Sequence, residues 1–325
     1  MKLSDFNYNL PRELIAQRPA VPRTHSRLMV LKNNSIKHDF FYNLPNYLQE
    51  GDVLVINETK VLKIKLEGKK RSGGKVELML EDEKGNAIIK GKAKSQDKII
   101  FDNNIVSEII NKNSNKVFLE FNIPINEVIE KIGKLPIPPY IKIPLKKDEE
   151  YQTIFAEKEG SFAAPTAGLH FDSSLLQKLH DKGVKLAKVC LHVSWDTFLP
   201  VLEEDPTKHE MHGEVCEIDK ENADIINKAK RLFVVGTTTL RTLESFAENG
   251  KVAPGKKLTK IFIYPGYKFK LSYTGLITNF HLPKSTLLMM ISAFLSREKI
   301  LKAYELAVKE KYRFFSLGDA MLIFP

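Results

Sequence analysis

The chain has few of the residues that mark several common classes of protein. Its 325 residues include only two cysteines, Cys190 and Cys216, too few for a disulfide framework or a paired-cysteine metal site. The longest apolar run, residues 287–295, is far shorter than the ~20 residues of a membrane-spanning helix. The opening MKLSDFNYNLPRELIAQ lacks the apolar stretch of a secretion signal. We therefore expect a cytoplasmic protein that has no membrane partner.

Arginine is also scarce, at 9 residues against 41 lysines, in a chain with a net charge of +10. A basic chain suits a polyanionic partner, because each neutralised phosphate releases counterions. A solvated lysine-rich surface has the same charge, so charge alone does not separate the two interpretations. Because lysine is the default cation here, Arg27, Arg241 and Arg313 are candidates for the planar, two-pronged contacts that lysine cannot make.

Residues 61–149 contain no histidine, cysteine or tryptophan, and their apolar residues alternate with period two. Five such segments, among them KVELMLE (75–81) and KVFLEF (116–121), are separated by Gly, Asn and Asp turns. Short strands at this spacing are typical of small sandwiches and barrels. We predict that 61–149 form a small inserted β-barrel domain that serves in packing or docking.

The rest of the chain, 1–60 and 150–325, has a different pattern. Buried strands such as VLVIN (53–57), LFVVG (232–236) and KIFIYP (260–265) alternate with helical stretches of 10–15 residues. This alternation predicts an α/β fold: one large mixed domain, with helices on both faces of a mostly parallel sheet. Ligands of such sheets bind beyond the carboxyl ends of the strands, so the chemistry is expected there.

Five of the eight histidines lie in segments rich in apolar residues, glycine, threonine or proline: His170, His192, His209, His212 and His281. An imidazole among apolar neighbours has a pKa that can move across neutrality, so it can exchange protons in a desolvated cleft. We predict an enzyme in which these imidazoles converge on one dry pocket at a rim of the sheet.

A possible anion site follows the strand LFVVG. In VVGTTTLRTLE (234–244), Thr237, Thr238 and Thr239 begin a helix that carries Arg241. The first turn of a helix leaves backbone N–H groups without partners, which suits a carboxylate or phosphate. A purely structural interpretation also holds, in which one threonine caps the helix and the others fill space.

The segment KHEMHGE places His209, His212 and Glu214 close together. These are metal-ligand types, but the spacing does not match the H-E-x-x-H motif. We favour a hydrogen-bonding or acid–base role and expect no bound metal.

Two further motifs lie near the C-terminus. TNFHLPKSTLLMM places Asn279, His281 and Lys284 just before an apolar helix. YRFFSLGDAM sets Arg313 and Asp319 among aromatic residues, which fits either an ion pair in the core or a surface that stacks on a nucleobase.

These segments, together and in this order, resemble the S-adenosylmethionine:tRNA ribosyltransferase-isomerase family of queuosine biosynthesis. The most specific are APTAGLHF (164–171), TNFHLPKSTL (278–287) and YRFFSLGDAM (312–321). The resemblance extends nearly from end to end and is least distinctive over 65–135. One loop departs from it: where the family usually has glycines, this chain has Ser194, Trp195 and Asp196.

The resemblance implies a fold with a Greek-key barrel and an unusual use of S-adenosylmethionine. The ribosyl part of this molecule moves to a 7-aminomethyl-7-deazaguanine at the wobble position of the tRNA anticodon. Adenine and methionine leave, and the tRNA then carries epoxyqueuosine. S-adenosylmethionine is a co-substrate in this reaction, so no cofactor is expected, and we expect a monomer.

The resemblance, taken with the residues above, also implies roles. The base that removes a proton beside the sulfonium is one of the histidines, with Glu214 orienting it; the candidates are His170, His192, His212 and His281. The substrate-binding candidates are Thr166, Thr237, Thr238, Thr239, Arg241, Asn279, Lys284, Arg313 and Asp319, and the tRNA-binding candidates are Lys69, Lys70, Lys92 and Lys94. Two alternatives remain: a metal-dependent hydrolase built on His209, His212 and Glu214, and a non-catalytic tRNA-binding protein.

Overall fold

The computed structural model describes residues 1–194, 201 and 203–325, so Trp195 and Asp196 of the departing loop lie outside the described residues. The chain divides into two compact units, Met1–Lys60 with Pro138–Pro325, and Val61–Ile137. Residues 138–149 belong to the larger unit, although the sequence pattern placed them with the barrel. The Gln17 side chain holds them there: it donates to the carbonyl of Tyr140 (3.0 Å) and accepts from the backbone N–H of Lys142 (2.6 Å).

The strands and helices are as follows. The strands are β1 (Arg27–Lys32), β2 (Ser35–Phe40), β3 (Val53–Asn57), β4 (Thr59–Val61), β5 (Lys65–Lys70), β6 (Lys75–Leu80), β7 (Asn86–Lys90), β8 (Lys98–Ile100), β9 (Val106–Asn113), β10 (Lys116–Phe121), β11 (Lys158–Ser161), β12 (Lys185–Leu191), β13 (Glu214–Ile218), β14 (Leu232–Val235), β15 (Ala247–Glu248), β16 (Lys251–Val252), β17 (Gly255–Thr259), β18 (Gly275–Asn279) and β19 (Ala320–Ile323). The helices are α1 (Ile125–Ile132), α2 (Ser173–Asp181), α3 (Lys220–Asn227), α4 (Thr237–Phe246), α5 (Thr286–Phe294) and α6 (Arg297–Lys309).

The smaller unit is a closed antiparallel barrel with the strand order β10-β7-β6-β5-β8-β9. The period-two pattern gives it an apolar interior, since alternate residues such as Leu66, Leu78 and Ile109 are buried. Helix α1 ends at Ile132 and is followed by Gly133, where a side chain would collide with the carbonyl oxygens of Lys63 and Ile129.

The larger unit contains a sheet of nine strands in the order β17-β13-β12-β3-β14-β18-β19-β1-β2. Its centre, β12-β3-β14-β18, is parallel, and β19 pairs parallel with β1. The other four pairs are antiparallel, so the prediction of a mostly parallel sheet is wrong. At one edge the cause is a tight turn at Asn33 and Asn34, whose positive φ angles of 49° and 61° join β1 to β2 as a hairpin.

The segment KIFIYP (260–265) was predicted to be a strand, but the strand in this region, β17, ends at Thr259. The carbonyl of Ile261 accepts instead from Nε of Arg241 at 3.3 Å. The Arg241 side chain thus bonds a backbone carbonyl that, in a strand, would bond the neighbouring strand.

Strand β3 is buried on both faces and separates two apolar clusters. Val53 and Val55 pack into a cluster that includes residues of α3, α4, α5 and α6. Leu54 and Ile56 face the second cluster, which includes Leu175 of α2. The uninterrupted apolar run VLVI (53–56) therefore reflects a strand with no solvent-facing side. No helix in the described part of the chain is long and apolar enough to cross a membrane.

Candidate active site

A cleft in the larger unit lies at the carboxyl ends of parallel strands. It begins where β12, β14 and β18 end, which is where ligands of open α/β sheets bind. The apolar part of its lining includes Ala163, Ala164, Pro165, Ala167, Val193 and Leu287. The polar groups around it are Thr166, Thr237, Thr238, Arg241, Thr278, Asn279, His281 and Ser316.

The start of helix α4 forms part of this cleft. Gly236 precedes the helix with a φ of 89°, a conformation that glycine adopts without strain. Gly236, the residue at the cap, has no side chain that could cap the helix, and Thr237 and Thr238 line the cleft. The N–H groups of the first turn thus face a space where an anion would be stabilised. Thr239 is different, because its hydroxyl donates to the carbonyl of Val235 (2.6 Å) and its side chain is buried away from the cleft.

Arg241, one turn further along α4, is held by a buried ion pair. Its Nη1 pairs with Oε2 of Glu214, and its Nε donates to Ile261. Glu214 also accepts from the backbone N–H of Ser194 at 3.0 Å. Nη2 of Arg241 is buried and has no hydrogen-bond partner among the residues that the structure describes. Glu214 was expected to orient a histidine; it holds this arginine instead, because the guanidinium supplies the charge that a buried carboxylate requires.

His281 is the only one of the five histidines that lines the described part of the cleft. Its Nε2 lies 2.8 Å from the hydroxyl of Thr278, and its backbone N–H donates to the Tyr304 hydroxyl at 2.8 Å. Burial lowers the pKa of His281 to about 3, because charge on the ring would be desolvated. The imidazole is therefore neutral at pH 7.

His170 lies behind the cleft wall rather than in it. Its Nδ1 is 2.8 Å from the hydroxyl of Ser26, and its Nε2 is 3.1 Å from Nδ2 of Asn279. Asn279 in turn contacts Thr166, and both of these side chains line the cleft. Burial is the main cause that lowers the pKa of His170 to about 4.

The other three histidines do not line the part of the cleft that the structure describes, so their predicted convergence finds no support there. His192 directly precedes Val193, which lines the cleft, so its side chain points to the opposite side of the extended chain, toward Thr59 (2.8 Å). His209 pairs with Glu203 at 2.9 Å. His212 lies in an irregular segment and is exposed. The segment KHEMHGE lies next to β13, but this position does not by itself bury the side chains of His209 and His212.

The alternative of a metal site built on His209, His212 and Glu214 has no geometric support among the described residues. Among the residues that the structure describes, no group of three or more His, Cys, Asp or Glu side chains is arranged to hold a metal ion. Glu214 is bound by Arg241, as described above.

The C-terminal motif YRFFSLGDAM resolves into two parts. Arg313 and the buried Asp319 form an ion pair at 2.8 Å, and Asp319 also accepts from the backbone N–H groups of Arg27 and Arg313. This is the structural alternative, and neither residue lines the cleft. Lys284, also expected in the site, is exposed and outside the lining, because its backbone forms a turn with a φ of 58°.

The second part of this motif contributes Phe315, one of the aromatic residues considered for stacking on a nucleobase, and Ser316, which sequence reasoning missed. Phe315 and Ser316 line the cleft, and Phe315 has a φ of 74°. Gly318 permits the turn, because a side chain there would lie 2.4 Å from the carbonyl oxygen of Arg313. Tyr140 supports both residues, with its ring 4.2 Å from that of Phe315 and its hydroxyl bonded to Ser316. The sequence Ser-Leu-Gly-Asp could have predicted the turn. Nothing in the sequence indicated that Tyr140 would pack against it.

The four candidate tRNA-binding lysines lie in the barrel unit. Lys69, Lys92 and Lys94 are exposed, whereas Lys70 is half-buried and 3.7 Å from the carboxylate of Asp97. Lys92 and Lys94 fall between β7 and β8, and Lys69 and Lys70 end β5.

Comparison with known proteins gives one consistent result. A family model described as a queuosine biosynthesis protein matches residues 3–323. A protein of Carboxydothermus hydrogenoformans is 48% identical over 99% of this chain and 100% of its own length, and one of Sulfurihydrogenibium sp. is 49% identical over 99% and 100%. Both are named S-adenosylmethionine:tRNA ribosyltransferase-isomerase.

A solved structure is similar as well. The crystal structure of S-adenosylmethionine tRNA ribosyltransferase from Thermotoga maritima is 35% identical, covers 98% of this chain and 100% of that one, and has a TM-score of 0.59. With sequence matches over nearly its whole length, the chain belongs to the S-adenosylmethionine:tRNA ribosyltransferase-isomerase family of queuosine biosynthesis proteins.

Proposed function

We infer that this protein is an S-adenosylmethionine:tRNA ribosyltransferase-isomerase that acts on a tRNA with 7-aminomethyl-7-deazaguanine at the wobble position. The ribosyl part of S-adenosylmethionine moves to the aminomethyl group, and adenine and methionine are released. Full-length relatives with this name support the inference. The structural observation that carries it is Nη2 of Arg241, buried in the cleft without a partner in the described chain.

An amino-acid carboxylate is the group that Arg241 would bind. A guanidinium N–H and the free N–H groups at the start of α4 are both donors that favour an anion. The apolar side chains of Ala163, Ala164 and Leu287 line the same cleft, which suits a sulfonium held away from water. The methionine part of S-adenosylmethionine has both a carboxylate and a sulfonium.

His281 is the candidate for the base, because its side chain lines the cleft. The reaction requires removal of an acidic proton from the carbon beside the sulfonium. The buried ring of His281 is neutral at physiological pH, so it has a lone pair that can accept this proton. Thr278, 2.8 Å from Nε2, orients the ring.

The assay is incubation with S-adenosylmethionine and tRNA bearing the aminomethyl base, with free adenine measured by chromatography. The native protein is expected to release adenine only with this tRNA, and His281→Ala is expected to lower the rate ~10²-fold or more. His180→Ala is the matched control, because that side chain is 82% exposed. Absence of adenine with the native protein would reject the activity. Binding of tRNA without adenine would favour a non-catalytic binding protein, and loss of activity with a chelator would favour a metal-dependent enzyme.

We also propose the finer arrangement and setting of the protein. The larger unit would be the catalytic domain, with helices on both faces of its sheet, and the barrel would be a Greek-key module that docks tRNA. The strand order β8-β5-β6-β7 supports the Greek key, since the fourth strand lies beside the first. The protein would act as a cytoplasmic monomer that needs no cofactor or metal.

A further inference from the structure

The side chains behind the cleft form one hydrogen-bonded chain: Thr166, Asn279, His170 and Ser26. Of these, Thr166 and Asn279 line the cleft, whereas His170 is buried behind them. Which atom donates in each bond can be determined, because Asn279 also contacts a backbone carbonyl, a group that can only accept.

This carbonyl belongs to Phe315 and can only accept. Nδ2 of Asn279 lies 3.3 Å from this oxygen, and the reversed amide would place two oxygens against each other. The amide nitrogen therefore faces Phe315 and His170, and the amide oxygen faces Thr166.

The two remaining directions follow from this orientation. Nδ2 of Asn279 donates to Nε2 of His170, so the proton of the neutral ring is on Nδ1 and is donated to Ser26. At the other end, Oδ1 of Asn279 accepts at 3.2 Å from the hydroxyl of Thr166. The single hydroxyl proton of Thr166 is thereby committed, and only its lone pairs face the cleft.

We propose that Thr166 is a hydrogen-bond acceptor for an N–H or O–H group of the bound S-adenosyl compound, and that His170 is the positioning residue that sets this polarity through Asn279. The proposal rests on the function inferred above. It assigns His170 no proton transfer, because both ring nitrogens are occupied by Ser26 and Asn279.

The chemistry of the cleft then has two complementary parts. Arg241 and the start of α4 offer donors, and Thr166 offers an acceptor. An α-ammonium, a ribose hydroxyl and the adenine amine are the donors that an S-adenosyl compound presents. A threonine hydroxyl that rotates freely can bond to either a donor or an acceptor of the ligand. The Thr166 hydroxyl, whose proton is already bonded to Asn279, can only accept and therefore selects ligand groups that donate.

Calorimetric titration with S-adenosylhomocysteine tests the acceptor, using Thr166→Val and Thr166→Ser as a matched pair. Valine has nearly the shape of threonine but lacks the hydroxyl oxygen. The dissociation constant of S-adenosylhomocysteine for the Thr166→Val variant is therefore expected to rise about tenfold or more. Serine keeps the hydroxyl oxygen, so the dissociation constant of Thr166→Ser is expected to stay within about threefold of the native value. Parallel titrations with 5′-methylthioadenosine identify the donor: an effect of valine on S-adenosylhomocysteine alone indicates the ammonium, and an equal effect on both indicates the nucleoside.

Nuclear magnetic resonance of ¹⁵N-labelled histidine tests the polarity without any ligand. The native protein at pH 7 is expected to have His170 in the Nδ1–H form, with the signal assigned by its loss in His170→Asn. An Nε2–H form would overturn the proposal, as would native-like affinity of Thr166→Val or equal losses in the valine and serine variants. Failure of the inferred enzyme activity is a separate result, because it is measured as adenine release by the native protein.

Discussion

Arg241 shows how one side chain can serve both the core and the site. Two of its three guanidinium nitrogens hold it in place, through Glu214 and the carbonyl of Ile261. The third, Nη2, has no bond to any residue of the described chain. A buried donor without a partner costs free energy, which a ligand that accepts from it would offset. The scarcity of arginine in the sequence was a useful signal for this residue.

Replacement of Arg241 by lysine is expected to raise the KM for S-adenosylmethionine about 10- to 100-fold. Lysine keeps the positive charge that Glu214 requires, so the fold is retained, but it lacks the planar fork that reaches a second anion. The measurement is the rate of adenine release at saturating tRNA. Arg231→Lys, which alters a half-buried arginine paired with Asp52, is the control. An unchanged KM in Arg241→Lys would show that the ligand carboxylate lies elsewhere.

At the scale of elements, two short connections place buried histidines in or directly behind the cleft. One is the turn Thr166–His170, and the other is the loop that follows β18 and carries His281. Each buries a neutral imidazole, His170 or His281, whose pKa is lowered to about 4 or about 3. In the unfolded chain both rings have the ordinary pKa of 6.5, so they take up protons that the folded protein does not.

We therefore expect the free energy of unfolding to decrease as the pH falls from 7 to 5. Between pH 6.5 and 4 the unfolded state binds more protons, and each histidine contributes a loss of up to about 1.4 kcal/mol per pH unit. Carboxyl groups with lowered pKa, such as Glu67 with a pKa of about 2, lose their contribution only at lower pH. Urea titrations at the two pH values measure the effect. Because burial also lowers the pKa of His192, His281→Gln should reduce the difference by up to about half, and an unchanged difference would contradict this account.

At the scale of the whole molecule, the excess of positive charge is expected to serve tRNA binding through the barrel. Lys69, Lys92 and Lys94 are exposed, and a phosphate backbone is bound by such side chains with a strong dependence on salt. The alternative is that these lysines are only a solvated surface.

Replacement of Lys69, Lys70, Lys92 and Lys94 together by glutamine separates these alternatives. If each contacts a phosphate, the slope of log affinity for tRNA against log salt should flatten by about 3. The control replaces four exposed lysines of the larger unit, which are Lys178, Lys220, Lys228 and Lys302. A similar change in both variants would indicate net charge alone, and an unchanged slope in the first would assign the barrel lysines a structural role.

The sequence alone determined the features that depend on local periodicity and on distinctive motifs. The period of two predicted the β-strands of the barrel. The long motifs were sufficient to identify the family. Thr237, Thr238, Arg241 and His281, which the sequence offered as site candidates, line one cleft. Thr237, Thr238 and His281 lie just beyond buried strands, and Arg241 lies one turn into the helix that follows β14.

Only the tertiary structure decided which side of each segment faces the cleft. His192 and Val193 are neighbours in sequence, yet the alternation of an extended chain places only Val193 in the lining. Glu214 and Arg241, 27 residues apart, became partners through the meeting of β13 and α4. The direction of the hydrogen bonds from Thr166 to Ser26 depends on the carbonyl of Phe315, 149 residues away from Thr166 in the chain. Such bonds join residues distant in sequence, and local composition contains no information about them.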